Sequence, residues 1–291
     1  MWTCQHIVLA VILLSGLGFA SLPLMAADGP ADPELAVLVD ALKGDDRKAA
    51  MQAVDRVVKH GADAVAPLTE LLKAKDRWPR IFACQALAKI GPEAKDAVPA
   101  LIEGLQDQEA DVRGVAAYAL GKIGGNALPA VLDALKSETK EVRAGAAAAL
   151  TIMAPADEPA VKALTLALAD ADAGVRQSAA LALGRIGPPA ASAVAALVQA
   201  LKDPVPDVAR NATTALGGIG PDAKAGVPWL MEMLKHDDVR LCLAAIRALA
   251  GIGPAAQAAT PALQRLAQDE RQDVRAAAEQ ALVKIAGPPQ R

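Results

Sequence analysis

Large aromatic side chains are nearly missing from this chain: one Tyr, two Phe and three Trp stand among 291 residues. A core built without rings has to bring backbones close over small side chains. Cysteine is as scarce, with three residues, too few for a disulfide framework, so packing alone must hold the fold. The three histidines, His6, His60 and His236, are dispersed and none is followed by Glu, which leaves no cluster to hold a metal. A basic excess is also lacking. The formal net charge is -3, whereas a nucleic-acid binder usually carries a positive footprint. Neither a glycine-rich phosphate loop nor a Gly-x-Ser-x-Gly elbow occurs. No catalytic constellation, metal or cofactor is therefore expected. What is present is apolar and small: 53% hydrophobic residues, about a quarter Ala, 22 Gly and 20 Pro. That is too apolar for a disordered chain, and Gly does not recur at every third position as in collagen.

Residues 1–27 contain no Lys, Arg, Asp or Glu, and residues 7–20 form an apolar run broken only by Ser15, Gly16 and Gly18. Small residues follow at Ala20-Ser21 and Ala26-Ala27, ahead of the turn-like Asp28-Gly29-Pro30. This pattern reads as a signal peptide over 1–27 and a linker over 28–32, with the protein exported to a periplasm or secreted. Only the α-amino group and His6 supply positive charge before the run. Residues 7–27 are also long enough to span a bilayer if uncleaved, so the alternative is an N-terminal membrane anchor. Cys4 precedes the run, which gives lipoprotein-type processing no support.

The rest is one unit written repeatedly. An Ile-Gly anchor, often followed by Pro, stands at Ile90, Ile123, Ile186, Ile219 and Ile252, with degenerate copies at Met153 and Ile285; the intervals are 33, 30, 33, 33, 33 and 33 residues. Upstream recur Asp111-Val112-Arg113, Glu141-Val142-Arg143, Gly174-Val175-Arg176, Asp207-Val208-Ala209 and Asp273-Val274-Arg275. Each unit reads as two helices. Val98, Leu101, Ile102 and Leu105 make one apolar face of the first, with Pro99, Pro129, Pro228 and Pro261 at helix starts, where a missing N–H costs nothing. Val112, Ala116, Ala119, Leu120 and Ile123 make the matching face of the second. Asp111 is expected to cap that helix, and Gly124 to end it in a left-handed conformation. Counting back gives a further pair over 33–42 and 46–59. Period-two alternation is absent, so no sheet is expected.

The run Asp-Val-Arg-x-x-Ala-Ala-x-Ala-Leu-Gly-x-Ile-Gly, seen at 111–124 and in part at 273–285, resembles the short HEAT-like repeat of the phycobilisome-lyase type. The resemblance covers nearly all of 33–287 and implies an all-α fold, an α-solenoid wound as a right-handed superhelix of about eight helix pairs, with a tail at 288–291. Ankyrin and tetratricopeptide signatures are missing. An arginine in the first turn of a helix opposes the macrodipole, so its recurrence implies a carboxylate partner in the neighbouring repeat. The expected ladder comprises Asp111, Arg113, Arg143, Arg176, Asp207, Asp238, Arg240, Asp273 and Arg275.

Four residues are candidates for contact with a partner. Trp78 takes the place of the first-turn Asp, within Arg77-Trp78-Pro79-Arg80, and an aromatic beside Arg80 is a common interface anchor. Tyr118 and Arg247 share a column on the second helices with Gln85, Leu181, Thr214 and Gln280, variable while the core columns are not. Asn211-Ala212-Thr213 matches a glycosylation sequon inside an expected helix. The resulting expectation is a protein-binding scaffold acting through a concave second-helix face. The lyase-type resemblance leaves a bilin-handling lyase or isomerase as the alternative.

Overall fold

The computed structural model describes residues 32–287; the expected signal segment at 1–27, most of the linker and the tail at 288–291 lie outside them. Within that span the chain forms eight helix pairs and no strand: α1 (Pro33–Ala41) with α2 (Arg47–Val57), α3 (Val65–Leu71) with α4 (Arg77–Ile90), α5 (Val98–Gly104) with α6 (Ala110–Ile123), α7 (Leu128–Ala134) with α8 (Lys140–Met153), α9 (Glu158–Ala167) with α10 (Ala173–Ile186), α11 (Val194–Ala200) with α12 (Pro206–Ile219), α13 (Val227–Met233) with α14 (Val239–Ile252), and α15 (Thr260–Leu266) with α16 (Gln272–Ala286).

Local chemistry sets these limits. Pro99, Pro129, Pro228 and Pro261 stand in the first turn of their short helices. Asp46, Asp157 and Asp172 accept backbone N–H groups at helix starts. Asp111 does not cap: it lies inside the first turn of α6, whose cap position is Glu109. The glycines that end the second helices also differ from expectation. Gly91, Gly124, Gly187 and Gly220 have φ of 70–80° but ψ near -133 to -142°. This is the mirror image of extended backbone, open to glycine and closed to Asn, and it turns the chain directly into the next segment. Among the described second-helix ends, only Ala154, at the degenerate anchor, is left-handed helical, with φ 44° and ψ 55°.

The core is a seam of repeated columns. Leu87, Leu120, Leu150, Leu183, Leu216 and Leu249 on the second helices are fully buried, as are Leu68, Leu101, Leu164, Leu197, Leu230 and Leu263 on the first. Burial of each such side chain stabilises the fold by about 1.5–3 kcal/mol. Beside them runs a buried Ala column, Ala119, Ala149, Ala182, Ala215, Ala248 and Ala281, of which Ala215 and Ala248 lie directly against Gly184 and Gly217 of the preceding second helix. Successive second helices contact each other from α4 to α16, whereas neighbouring first helices touch little. The 28 residues Val239–Leu266 are apolar and long enough to cross a membrane, but Gly253 breaks them at φ 67° and both flanking helices pack into the seam.

Candidate protein-binding face

In four repeats the loop before the second helix carries an aspartate that accepts a backbone N–H two residues on. Asp107 accepts the N–H of Glu109 at 2.9 Å, and the same turn recurs from Asp170 to Asp172, Asp203 to Val205 and Asp269 to Arg271. Three of these carboxylates also bind the arginine of the preceding repeat: Arg80 to Asp107 at 2.8 Å, Arg143 to Asp170 at 2.7 Å and Arg176 to Asp203 at 2.6 Å. Each guanidinium also donates to carbonyls of its own loop, Ala74 and Lys75, Ser137 and Glu138, or Asp170 and Ala171. Those carbonyls follow the end of the preceding short helix. The arginine thus answers the negative end of one helix instead of merely opposing the positive end of its own. The paired hydrogen bonds from Arg143 and Arg176 hold Asp170 and Asp203 below the usual carboxylate range.

This ladder has a different membership from the expected one. Arg80, read as a partner contact, is a rung, with its side chain only 12% exposed. Asp111, Asp207 and Asp273 are not rungs, because they sit one turn too far along. Asp207 pairs with Arg210 of its own helix at 2.7 Å, and Asp273 accepts the N–H of Val274. Asp238 and Arg240 pair with each other at 3.3 Å; the residue in register with Arg176 in that repeat is Cys242, ten residues before the anchor Ile252. Arg113 donates to Asp107 and Gln108 carbonyls but has no rung, since Ser137 stands where an Asp is needed. Arg275 bonds Asp269 and Glu270 carbonyls in the last pair. A further gap pairs Ala209 with His236, whose Nδ1 accepts the N–H of Asp238 as the aspartates do two residues on.

The gap at Ser137 gives a direct test. Ser137 Oγ already accepts the N–H of Thr139 at 3.2 Å, so Ser137→Asp preserves the turn and offers Arg113 a carboxylate. A gain of about 1 kcal/mol, read as a thermal midpoint higher by about 2–4 °C, is the expected result.

On the solvent-facing side of the second helices lie two shallow depressions. Tyr118, 46% exposed with the Lys122 ammonium 5.5 Å from its ring centre, joins Gly114, Ala144, Gly145 and Ile152 around a space of about 420 Å³ across α6 and α8. Arg247 lines a larger one of about 670 Å³ across α10, α12 and α14, with Arg185, Arg210, Arg240, Leu181 and Leu243 beside Gly184, Gly217 and Gly218. Tyr118 and Arg247 therefore share a face but not a site, being four repeats apart.

The sequence profile of HEAT repeats matches residues 35–121, 65–151, 128–196 and 194–283. The chain belongs to the HEAT-repeat family. Among solved structures, an engineered protein is 28% identical, with a TM-score of 0.56 over 87% of this chain and 78% of its own. A second engineered protein is 26% identical, with a TM-score of 0.52 over 76% and 96%. Yeast importin-beta aligns at 16% identity with a TM-score of 0.64, over 86% of this chain and 42% of its own; that likeness is of fold alone, and this chain spans less than half of importin-beta's length. The sequence has no match among curated proteins.

In this HEAT array Trp78 is half-buried and its ring is covered. Arg47 lies 4.0 Å and Arg77 5.1 Å from the ring centre, and Phe82 packs beside it at 6.0 Å. Cys84 and Cys242 are buried and free, and burial raises the Cys84 thiol to about 12, which keeps it protonated. Among the described residues no cluster of His, Cys, Asp and Glu is suited to a metal. Thr213 of the sequon is buried and donates to the Ala209 carbonyl at 2.8 Å inside α12.

One feature of the HEAT array escaped the sequence reading. Its first helices carry seven carboxylates and two cations, and its second helices seventeen cations and six carboxylates. A net charge of -3 conceals this segregation, because the loops are acidic.

Proposed function

We propose that this protein is an exported HEAT-repeat scaffold that binds a partner protein along a concave second-helix face. The observation carrying the reading is the unbroken contact of consecutive second helices beside sparsely touching first helices, the arrangement expected of the inner and outer walls of a curved array. Depressions that cross two or three repeats on the inner wall suit a partner segment lying across the helices. The uncharged apolar segment at 7–20, followed by small residues, supports export.

Photocrosslinking tests the face. Benzoylphenylalanine placed at Tyr118 or Thr214 on second helices is expected to capture a discrete protein partner from the exported fraction, while the same group at Glu103 or Leu166 on first helices captures none. Adducts formed equally from both walls would remove the proposed face. N-terminal sequencing of the exported chain is expected to begin near Asp28; a chain retained in the cytoplasm would remove the export reading.

A further inference from the structure

We infer that the groove across α10, α12 and α14 receives an extended, carboxylate-rich segment of the partner protein. This rests on the scaffold reading and assigns the chemistry of what the scaffold holds. All four charged side chains lining the groove are arginines, Arg185, Arg210, Arg240 and Arg247, and no Asp or Glu lines it.

Their present engagements leave them available. Arg247 is exposed and has no carboxylate partner among the described residues. Arg185 reaches only the Thr151 carbonyl, at 3.4 Å. Arg210 and Arg240 pair with Asp207 and Asp238 of their own helix starts, at 2.7 and 3.3 Å and partly in solvent. Such exposed pairs are worth little and exchange readily for an incoming carboxylate, which a guanidinium can grip with two parallel hydrogen bonds. These arginines stand apart from the ladder, where Arg80, Arg143 and Arg176 are already neutralised.

Shape selects a peptide over a nucleic acid. No aromatic ring lines the groove, so it lacks the platform on which bases stack, and Leu181, Leu243 and Ala244 offer apolar contact between the charges. Packed helices lie about 8–10 Å apart, so the run from α10 to α14 covers about 20 Å. An extended strand rising ~3.3 Å per residue crosses that distance in about six residues. Small residues bring the helices of its floor into backbone contact: a Cβ on Gly184 would lie 2.9 Å from the Ala215 Cα, and one on Gly218 would lie 2.6 Å from the Gly184 carbonyl oxygen.

Fluorescence polarisation of the full chain with fluorescein-labelled hexaglutamate tests the assignment, with hexaglutamine as the neutral probe. Hexaglutamate is expected to bind, to weaken as salt rises, and to lose about tenfold in affinity, some 1.4 kcal/mol, in the Arg210→Ala/Arg247→Ala variant. Both side chains border solvent, so unchanged helical circular dichroism and thermal midpoint are expected. Removing two cations elsewhere on the same wall, Lys89→Ala/Lys122→Ala, should change affinity less than about twofold. Absence of hexaglutamate binding, equal binding of hexaglutamine, or equal loss in the two double variants would overturn the assignment, as would tighter binding of a thymidine hexanucleotide. Failure of hexaglutamate alongside a partner crosslinked through Thr214 would refute the acidic segment and leave the scaffold standing.

Discussion

Gly217→Val is expected to destabilise the protein by about 3 kcal/mol, at the upper end of ordinary overpacking costs, and to split its unfolding into two transitions. A Cβ at position 217 would lie 2.7 Å from the Ala248 Cα and 3.2 Å from the Ala248 Cβ. The first of these is backbone, so no rotamer relieves the clash, and α14 would have to move off α12 as a body. The same interface is tight seen from α14, because Gly251 packs directly on the Gly217 carbonyl. A repeat array is stabilised by interfaces between nearest neighbours. Loosening one interface uncouples α14 and α16 from the repeats before them, and urea denaturation followed by circular dichroism should then show a C-terminal step ahead of the main one. Gly114→Ala is the control. Nothing lies within 4 Å of a Cβ there, and α6 continues through the position, so this change should raise stability by about 0.5–1 kcal/mol. A Gly217→Val protein with the wild-type midpoint and a single transition would show that α12 and α14 are not in tight register.

The difference between these two glycines marks where the sequence ceases to be readable. Both sit in helical runs rich in Ala, and period, caps and helix pairing are legible because each is decided by residues within a few positions of one another. The anchors at Ile90 to Ile285 mark seven of the eight pairs, and counting back from them gives the first. Whether a glycine is free or pressed against a backbone depends on the residue opposite it in the next repeat, and the crossing of the two helices is not written locally. The ladder failed for a related reason. Asp111, Asp207 and Asp273 attract attention because they adjoin Val-Arg in the motif, yet a side chain at that point of the first turn cannot meet an arginine reaching toward the following loop. The true partners, Asp107, Asp170 and Asp203, stand six residues before the arginine column, as does Asp269, which faces Cys242 instead of an arginine, a regularity visible in the sequence once positions are counted from the anchors. Asp238 and Arg240 resembled a rung in composition and were out of register by two residues. The basic second helices were hidden differently: a net charge sums over first helices and loops whose carboxylates point elsewhere.

Asp203→Ala is expected to cost about 3 kcal/mol, the lower end of what breaking a buried ion pair costs, because two groups lose a partner at once. Arg176, with a side chain 13% exposed, keeps its bonds to the Asp170 and Ala171 carbonyls but is left without a counter-charge, and the Val205 N–H loses its acceptor. Removing both sides of the rung should cost less than Asp203→Ala alone. The molecule already contains such a case where Ala209 and His236 stand at the corresponding positions, with His236 still accepting a loop N–H. Arg176→Ala/Asp203→His copies that arrangement, and urea midpoints of the single and double variants measure the coupling; strict additivity would mean that the rung contributes nothing as a pair. Acid gives an independent reading. Arg176 depresses the Asp203 carboxyl in the folded protein, so the unfolded chain takes up the proton first as pH falls below the ordinary aspartate value of about 3.9. The stabilisation is complete above that value and disappears as pH drops through the lowered folded one. Wild-type stability should therefore decline below about pH 4, and Asp203→Asn should start lower at pH 7 and decline less. Parallel acid profiles for the two proteins would show that Asp203 is not held ionised by Arg176.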